Sequence, residues 1–362
     1  MSLLPAHGYW SQVGLSSQGN KDKSFAVDIT VMSKRNKEIM NVKLPLHTVF
    51  GQIYLDWSLG ENHPMQPIRA KLATDFIRAD LGPDALVIEP ISEELKPEIR
   101  AAIESVHDLD YVSTVLDEYR DGHWDGENPG NAAALLAMFG GTYKLVKSLI
   151  AGEIKVGFNP QGAKHHAMKS HSSGFCVFND FAWAARELES KGFRPLYLDW
   201  DIHAGDGVQA MLADTDIPTI SIHNGVIFPS SSPTRDRDQV GKRHFFHNPE
   251  QHWYNINLTN TDGDEGIAWA MDAATEIIEE YQPDIILLAA GADGHVGSPL
   301  ADNQFTQAGY KAAAERVVEL ANKYASGRVL IGGAGGYQPY KETPETWANV
   351  VGTIYRGTFG AE

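Results

Sequence analysis

Cysteine is almost absent, with Cys176 the single one in 362 residues. One thiol can build neither an internal disulfide nor a multi-thiolate metal site, and such usage fits a reducing compartment. Positive charge is also scarce: 30 Lys and Arg stand against 47 Asp and Glu, a formal net charge of −17. That balance argues against a nucleic-acid backbone or an anionic membrane as partner and suits a cationic substrate better. The uncharged apolar stretch 128–143 carries Asn, Gly and Thr and falls short of the roughly 20 residues that span a bilayer. MSLLPAHGYW at the start has neither the basic nor the apolar region of a signal peptide. Together these absences predict a soluble, cytoplasmic protein. Neither G-x-x-x-x-G-K-[ST] nor G-x-G-x-x-G occurs, so nucleotide binding has no fingerprint to rest on.

What is present concentrates in LYLDWDIHAGDG, residues 196–207. Leu196, Leu198 and Ile202 supply β-forming character, while Asp199, Asp201 and His203 alternate. On a backbone that stays extended, all three would point to one face as a chelating row. Gly205 and Gly207 follow, where an α/β protein binds ligands beyond the carboxyl end of a parallel strand. Asp206 adds a further acid.

Three more polar clusters end apolar segments. GAKHHAMKSHSSGFCVFND places His165 beside His166, a pair that could serve as ligands or as acid and base; His171 reads as a surface polar residue. LLAAGADGHVGSPL delivers Asp293 at a strand end, either as a ligand or as an acceptor for backbone donors. LIGGAGGYQPY runs through glycines into Tyr337. Two carboxylates and an imidazole with water in the fourth position make an open catalytic site for zinc or a similar divalent ion.

Around these clusters strands and helices alternate. Strands are expected over 47–50, 154–158, 195–199, 219–223, 254–258, 284–290 and 328–331, and helices over 131–150, 180–190, 266–281 and 306–324. Prolines before Ile68 and Gly82 after the apolar run bracket another helix. The βαβα order implies an α/β fold, a single domain with a mainly parallel sheet of about eight strands flanked by helices. Residues 1–41 read as an N-terminal extension to a catalytic domain over 42–362.

In order along the chain, NHPMQPIRA, KHHA with SGFCVFND, LDWDIHAGDGVQ, GADGHVGSPL and GGAGGY resemble the zinc-dependent histone deacetylase family, which includes acetylpolyamine amidohydrolases and acetoin-utilisation-type proteins within the arginase/deacetylase superfamily. The resemblance covers about residues 45–356. It implies Asp201, His203 and Asp293 as ligands to one Zn2+ per chain, with Fe2+ as an occupant in vivo. It also implies His165 and His166 as a pair oriented by Asp199 and Asp206, and Tyr337 as the catalytic tyrosine. Phe175 and Phe228 would wall an acyl tunnel with Gly174 and Leu300. Within the DGEN segment Glu127, in preference to Asp125, would be the acidic rim residue. A structural K+ is implied near Asp199, Asp201, His203 and Ser221. The expected reaction is hydrolysis of an acetylated amine, either acetyl-lysine of proteins or an acetylpolyamine or similar small compound. In that reaction His166 moves the proton, His165 acts electrostatically and Tyr337 stabilises the oxyanion.

Two positions depart from the family. Ala204 stands where a second histidine is usual, and FPSSSPTRDRD replaces FPGTGD at the tunnel rim, where the substrate beyond the acyl group is met. Two other readings compete. An arginase-type binuclear manganese ureohydrolase needs more carboxylates than Asp293, Gly294 and His295 supply on the later strand. A non-catalytic acyl-group binder would keep the tunnel and lose the reaction.

Overall fold

The computed structural model describes residues 43–229 and 242–359. The extension expected over 1–41, and residues 230–238 of the rim loop, lie outside the described residues.

Short, mostly apolar runs form the sheet. Among the described residues it has nine strands: β1 (Leu46–Val49), β2 (Ala85–Ile88), β3 (Val156–Asn159), β4 (Pro195–Asp199), β5 (Thr219–Asn224), β6 (His244–Asn248), β7 (Trp253–Leu258), β8 (Ile285–Ala289) and β9 (Val329–Gly332). Their order across the sheet is β2-β1-β3-β9-β8-β4-β5-β7-β6. Every pairing is parallel except β6 against β7. In β8 the pleat sends Ile285, Leu287 and Ala289 into one core and Ile286 and Leu288 into the other. A strand buried on both faces therefore reads as a continuous apolar run.

Helices cover both faces. One core packs under α2 (Lys96–Glu104), α3 (Leu109–Leu116), α4 (Pro129–Ile150), α5 (Asp180–Ser190) and α6 (Asp206–Leu212), and the other under α1 (Ile68–Leu81), α7 (Asp264–Tyr281), α8 (Gln307–Tyr324) and α9 (Glu342–Thr358). Helix α4 is long and apolar enough to cross a membrane by length and composition, yet two thirds of its most apolar window is buried inside the fold. A Cβ at Gly140 would stand 2.8 Å from the Pro90 carbonyl oxygen, so this helix needs glycine where a loop crosses it. Asn128 caps α4 by accepting from Asn131 N–H at 2.9 Å, and Thr306 caps α8 by accepting from Ala308 N–H at 3.1 Å.

Strands β2 and β6 and helix α9 go beyond the sequence expectation. Strand β2 is four residues squeezed between Asp84 and Glu89, and β6 is an antiparallel edge strand of His, Phe and Asn with two of its five residues exposed. Strand β2 is a four-residue edge strand with Leu86 exposed, and β6 has no aliphatic residue, so neither shows the fully buried apolar pattern of the central strands.

Candidate active site

The polar clusters meet at the carboxyl ends of β4, β8 and β9. Strand β4 stops at Asp199. There the Asp199 carboxylate accepts Asp201 N–H at 2.9 Å, and the Asp201 carboxylate accepts His203 N–H at 3.0 Å. Two successive side-chain-to-backbone turns of this kind take the chain out of the extended conformation. The expected row on one strand face is thereby corrected. Asp199 turns to His165, whereas Asp201 and His203 meet Asp293, which follows the neighbouring strand β8.

Asp201, His203 and Asp293 are all buried, and one donor atom from each lies within 4.8 Å of the others. His203 Nδ1 is 2.8 Å from Asp293 Oδ2 and 3.1 Å from Asp201 Oδ1. Ile202 N–H donates to Asp293 Oδ1 at 3.1 Å and Gly335 N–H to Asp201 Oδ2 at 2.6 Å, so backbone donors hold both carboxylates. Asp293 is thus both a strand-end acceptor and a member of the cluster. Burial and the neighbouring Asp201 charge push the Asp293 carboxyl up to about 6. Burial would lower His203, but hydrogen bonds to the two carboxylates outweigh it and push the imidazole up to about 10. Two buried carboxylates around one imidazole call for a positive charge, and this oxygen and nitrogen donor set fits a divalent metal.

Behind this group lies the histidine pair. His165 Nδ1 is 2.7 Å from Asp199 Oδ2, and His166 Nδ1 is 2.7 Å from Asp206 Oδ1. Asp199 Oδ2 also accepts the Tyr197 hydroxyl at 2.6 Å, which fixes the carboxylate from the far side. Burial opposes a charge on His165, but Asp199 and Asp201 override it and push the imidazole up to about 9. His166 is pushed down to about 4 by burial and by the charge of His165. Ser221 pairs in register with Asp199 across β4 and β5, and its Oγ accepts Gly205 N–H at 3.2 Å.

A cavity of about 400 Å³ opens above the group. Gly174, Phe175, Ile227, Phe228 and Leu300 line it together with Tyr337 and the buried His166 and His203. The Phe228 ring lies 4.9 Å from His166, and the Phe175 ring 6.2 Å from Tyr337. At Gly174 φ is +52°, and a Cβ there would collide with the His166 ring, so only glycine lets the turn approach the histidine. Burial and then the Asp293 and Asp201 carboxylates raise the Tyr337 phenol well above its ordinary range, which keeps the O–H intact as a donor. Glu127 and Asp125 are both exposed on the loop before α4 and outside this cavity wall, and His171 is exposed as expected.

Sequence reasoning left two anchoring residues without a role. Arg69, fully buried in α1, donates to the carbonyl oxygens of Gly336 at 2.6 Å and Ala334 at 3.1 Å, and so holds the glycine turn that precedes Tyr337. Asp180 accepts Lys164 N–H at 2.8 Å and Ala163 N–H at 3.1 Å, and thereby fixes the segment leading into His165. Their signals were a lone arginine inside NHPMQPIRA and the acid that closes SGFCVFND.

The histone deacetylase domain model matches residues 63–354, most of the chain. The chain belongs to the histone deacetylase family. The acetoin utilization protein AcuC of Bacillus subtilis is 28% identical over 325 residues, spanning 83% of this chain and 80% of that protein. An Archaeoglobus fulgidus protein named "Probable deacetylase" is 28% identical over 320 residues, spanning 84% of this chain and 85% of its own length. The crystal structure of the HDA15 HD domain shares the fold with a TM-score of 0.70 at 23% identity, covering 86% of this chain and 90% of that one. The protein is accordingly a deacetylase-type hydrolase acting on an acylated amine.

Proposed function

We propose that this deacetylase is zinc-dependent and removes an acetyl or other short acyl group from an amine, presented as acetyl-lysine of a protein or as an acetylpolyamine or similar small N-acetyl amine. One observation carries the reading: His203 of the buried donor group, His166 and Tyr337 all line one largely apolar cavity. Asp201, His203 and Asp293 would hold a single Zn2+, or Fe2+ in vivo, which would supply polarisation of the acyl carbonyl and a lowered pKa for a water molecule.

The rest falls to the side chains. His166 lines the tunnel with Nδ1 engaged by Asp206, so its Nε2 accepts the proton of the attacking water and returns one to the leaving amine nitrogen. His165 lies deeper, held by Asp199, and contributes charge. The Tyr337 hydroxyl donates to the carbonyl oxygen as that oxygen gains charge. Water adds across the amide, and acetate and the free amine leave. Gly174, Phe175, Phe228 and Leu300 sheathe the acyl arm, and Glu127 at the rim accepts from the substrate beyond it. A structural K+ belongs beside Asp199, Asp201, His203 and Ser221. We place the enzyme in the cytoplasm, with neither nucleic acid nor membrane as a partner.

Steady-state kcat/KM of the zinc-loaded enzyme, measured across acetyl-lysine peptides, acetylpolyamines and small N-acetyl amides with Tyr337→Phe as control, tests this reading. Acetate release that Tyr337→Phe abolishes is expected. Binding of the panel without any acetate release overturns it.

A further inference from the structure

The tunnel wall contains a turn whose shape the wall residues do not explain. Ser173 and Cys176 pair as a small antiparallel bridge, with Cys176 N–H donating to the Ser173 carbonyl at 2.8 Å and Ser173 N–H to the Cys176 carbonyl at 3.0 Å. The two residues between them, Gly174 and Phe175, both have left-handed φ, +52° and +65°, as a type I′ turn requires. Glycine takes that conformation freely; phenylalanine does not. Something outside the turn has to hold Phe175 there.

That support comes from the loop before α4. Phe175 N–H donates to His123 Nε2 at 3.1 Å, so His123 carries its proton on Nδ1. Nδ1 donates to Asp121 Oδ1 at 2.8 Å. The same oxygen accepts His123 N–H at 2.9 Å and the Ser172 hydroxyl at 2.8 Å, so one carboxylate grips both the histidine and the base of the turn. The Asp121 side chain is 2% exposed and that of His123 is 16% exposed, which keeps water from competing for these bonds. On its other side the Phe175 ring meets the His63 ring edge-on at 4.5 Å.

We propose that His123, oriented by Asp121, is a positioning residue that fixes Phe175 as the tunnel wall and so sets how tightly the acyl amine is held. The chain of contacts runs Asp121, His123, Phe175 N–H, tunnel, and no member of the pair touches the reacting atoms. It rests on the deacetylase reading of the tunnel.

His123→Ala, His123→Gln and Asp121→Ala, each zinc-loaded, are compared with wild type in two measurements. Glutamine can present an oxygen where Nε2 stood. In steady-state kinetics with an acetyl-lysine peptide, His123→Ala and Asp121→Ala are expected to raise KM three- to tenfold with kcat within twofold, and His123→Gln to restore most of the loss. In hydrogen–deuterium exchange the peptide spanning 172–178 is expected to exchange at least tenfold faster in both alanine variants and to recover in His123→Gln. Unchanged exchange overturns the proposal, as does a rise in KM that glutamine fails to rescue while thermal melting stays at the wild-type temperature. Faster exchange without a KM change overturns the role in substrate holding. A wild-type enzyme without turnover overturns the deacetylase reading instead, and exchange still decides whether His123 holds Phe175.

Discussion

The rings of His165 and His166 lie 4.0 Å apart, yet each is held through Nδ1 by a different carboxylate, Asp199 for the first and Asp206 for the second. Neighbours in the chain are thus given separate environments, and only His166 reaches the tunnel wall. Replacing each partner should separate their contributions. Asp206→Asn is expected to lower kcat by roughly ten- to a hundredfold, and His166→Ala by roughly 10²–10⁴-fold, with KM nearly constant in both. Single-turnover rates with an acetyl-lysine peptide would measure this, and an equal loss from His171→Ala would argue against it.

Asp201 and Asp199 stand two positions apart and differ in what they touch. Asp201→Ala is expected to abolish metal binding, because it removes one of three donors. Asp199→Asn should keep the metal and lose rate by roughly ten- to a hundredfold. Elemental analysis of dialysed protein decides the first outcome and kcat the second. Two manganese ions per wild-type chain would favour the binuclear ureohydrolase reading.

Arg69 stabilises the turn ahead of Tyr337 from inside the core. Arg69→Met deprives the carbonyls of Ala334 and Gly336 of their donors. A loss of roughly 3 kcal/mol in stability is expected from broken buried hydrogen bonds to a charged group, together with a fall in kcat as Tyr337 loses its register. Urea denaturation and steady-state rates on the same preparation would show both effects; a variant equal to wild type in stability would exclude the role.

His107 supplies a pH dependence remote from the metal group. Its Nδ1 donates to the Met168 carbonyl at 3.0 Å, and its Nε2 accepts Asn179 N–H at 2.9 Å. Burial pushes it down from 6.5 to about 4, with the Lys169 and Met168 carbonyls opposing. Above pH 6.5 the imidazole is neutral in both folded and unfolded chains and the two do not differ. Between pH 6.5 and 4 the unfolded chain takes up a proton that the folded chain refuses, so stability falls with pH and levels off below about 4. The loss amounts to roughly 3 kcal/mol at about 1.4 kcal/mol per pKa unit. Melting curves of wild type and His107→Gln from pH 7.5 to 4 should converge as the pH drops; parallel curves would refute the assignment.

The Asp201, His203 and Asp293 cluster, the histidine pair and Tyr337, which the structure brings together, stood out in the sequence because each sits in a short segment with its own polar spacing. The parallel sheet was legible for the same reason, since β8 is an unbroken aliphatic run, β9 is aliphatic up to its terminal glycine and β4 is apolar up to Asp199. What escaped were relations between segments distant in sequence. Arg69 acts on a carbonyl 267 positions away and His123 on an amide 52 positions away, and neither neighbourhood announces its partner. The alternation of Asp199, Asp201 and His203 pointed to residues that do gather at one site, though through turns and not as a row on one strand face. Aspartate can satisfy backbone donors two residues ahead, and that local bond ended the strand before the alternation could form a row.

Asp201 and Asp293 follow the ends of two strands that pair in register, Asp199 opposite Ala289, although they are distant in the chain. On the proposed metal-site reading, metal affinity would be a ruler laid across the middle of the sheet. A slip of one residue, about 3.3 Å, carries one carboxylate past the other and dissolves the site. A chain that has not joined β4 to β8 would then have nowhere to keep the ion, so metal content would gauge how much of a refolded preparation has closed its central seam.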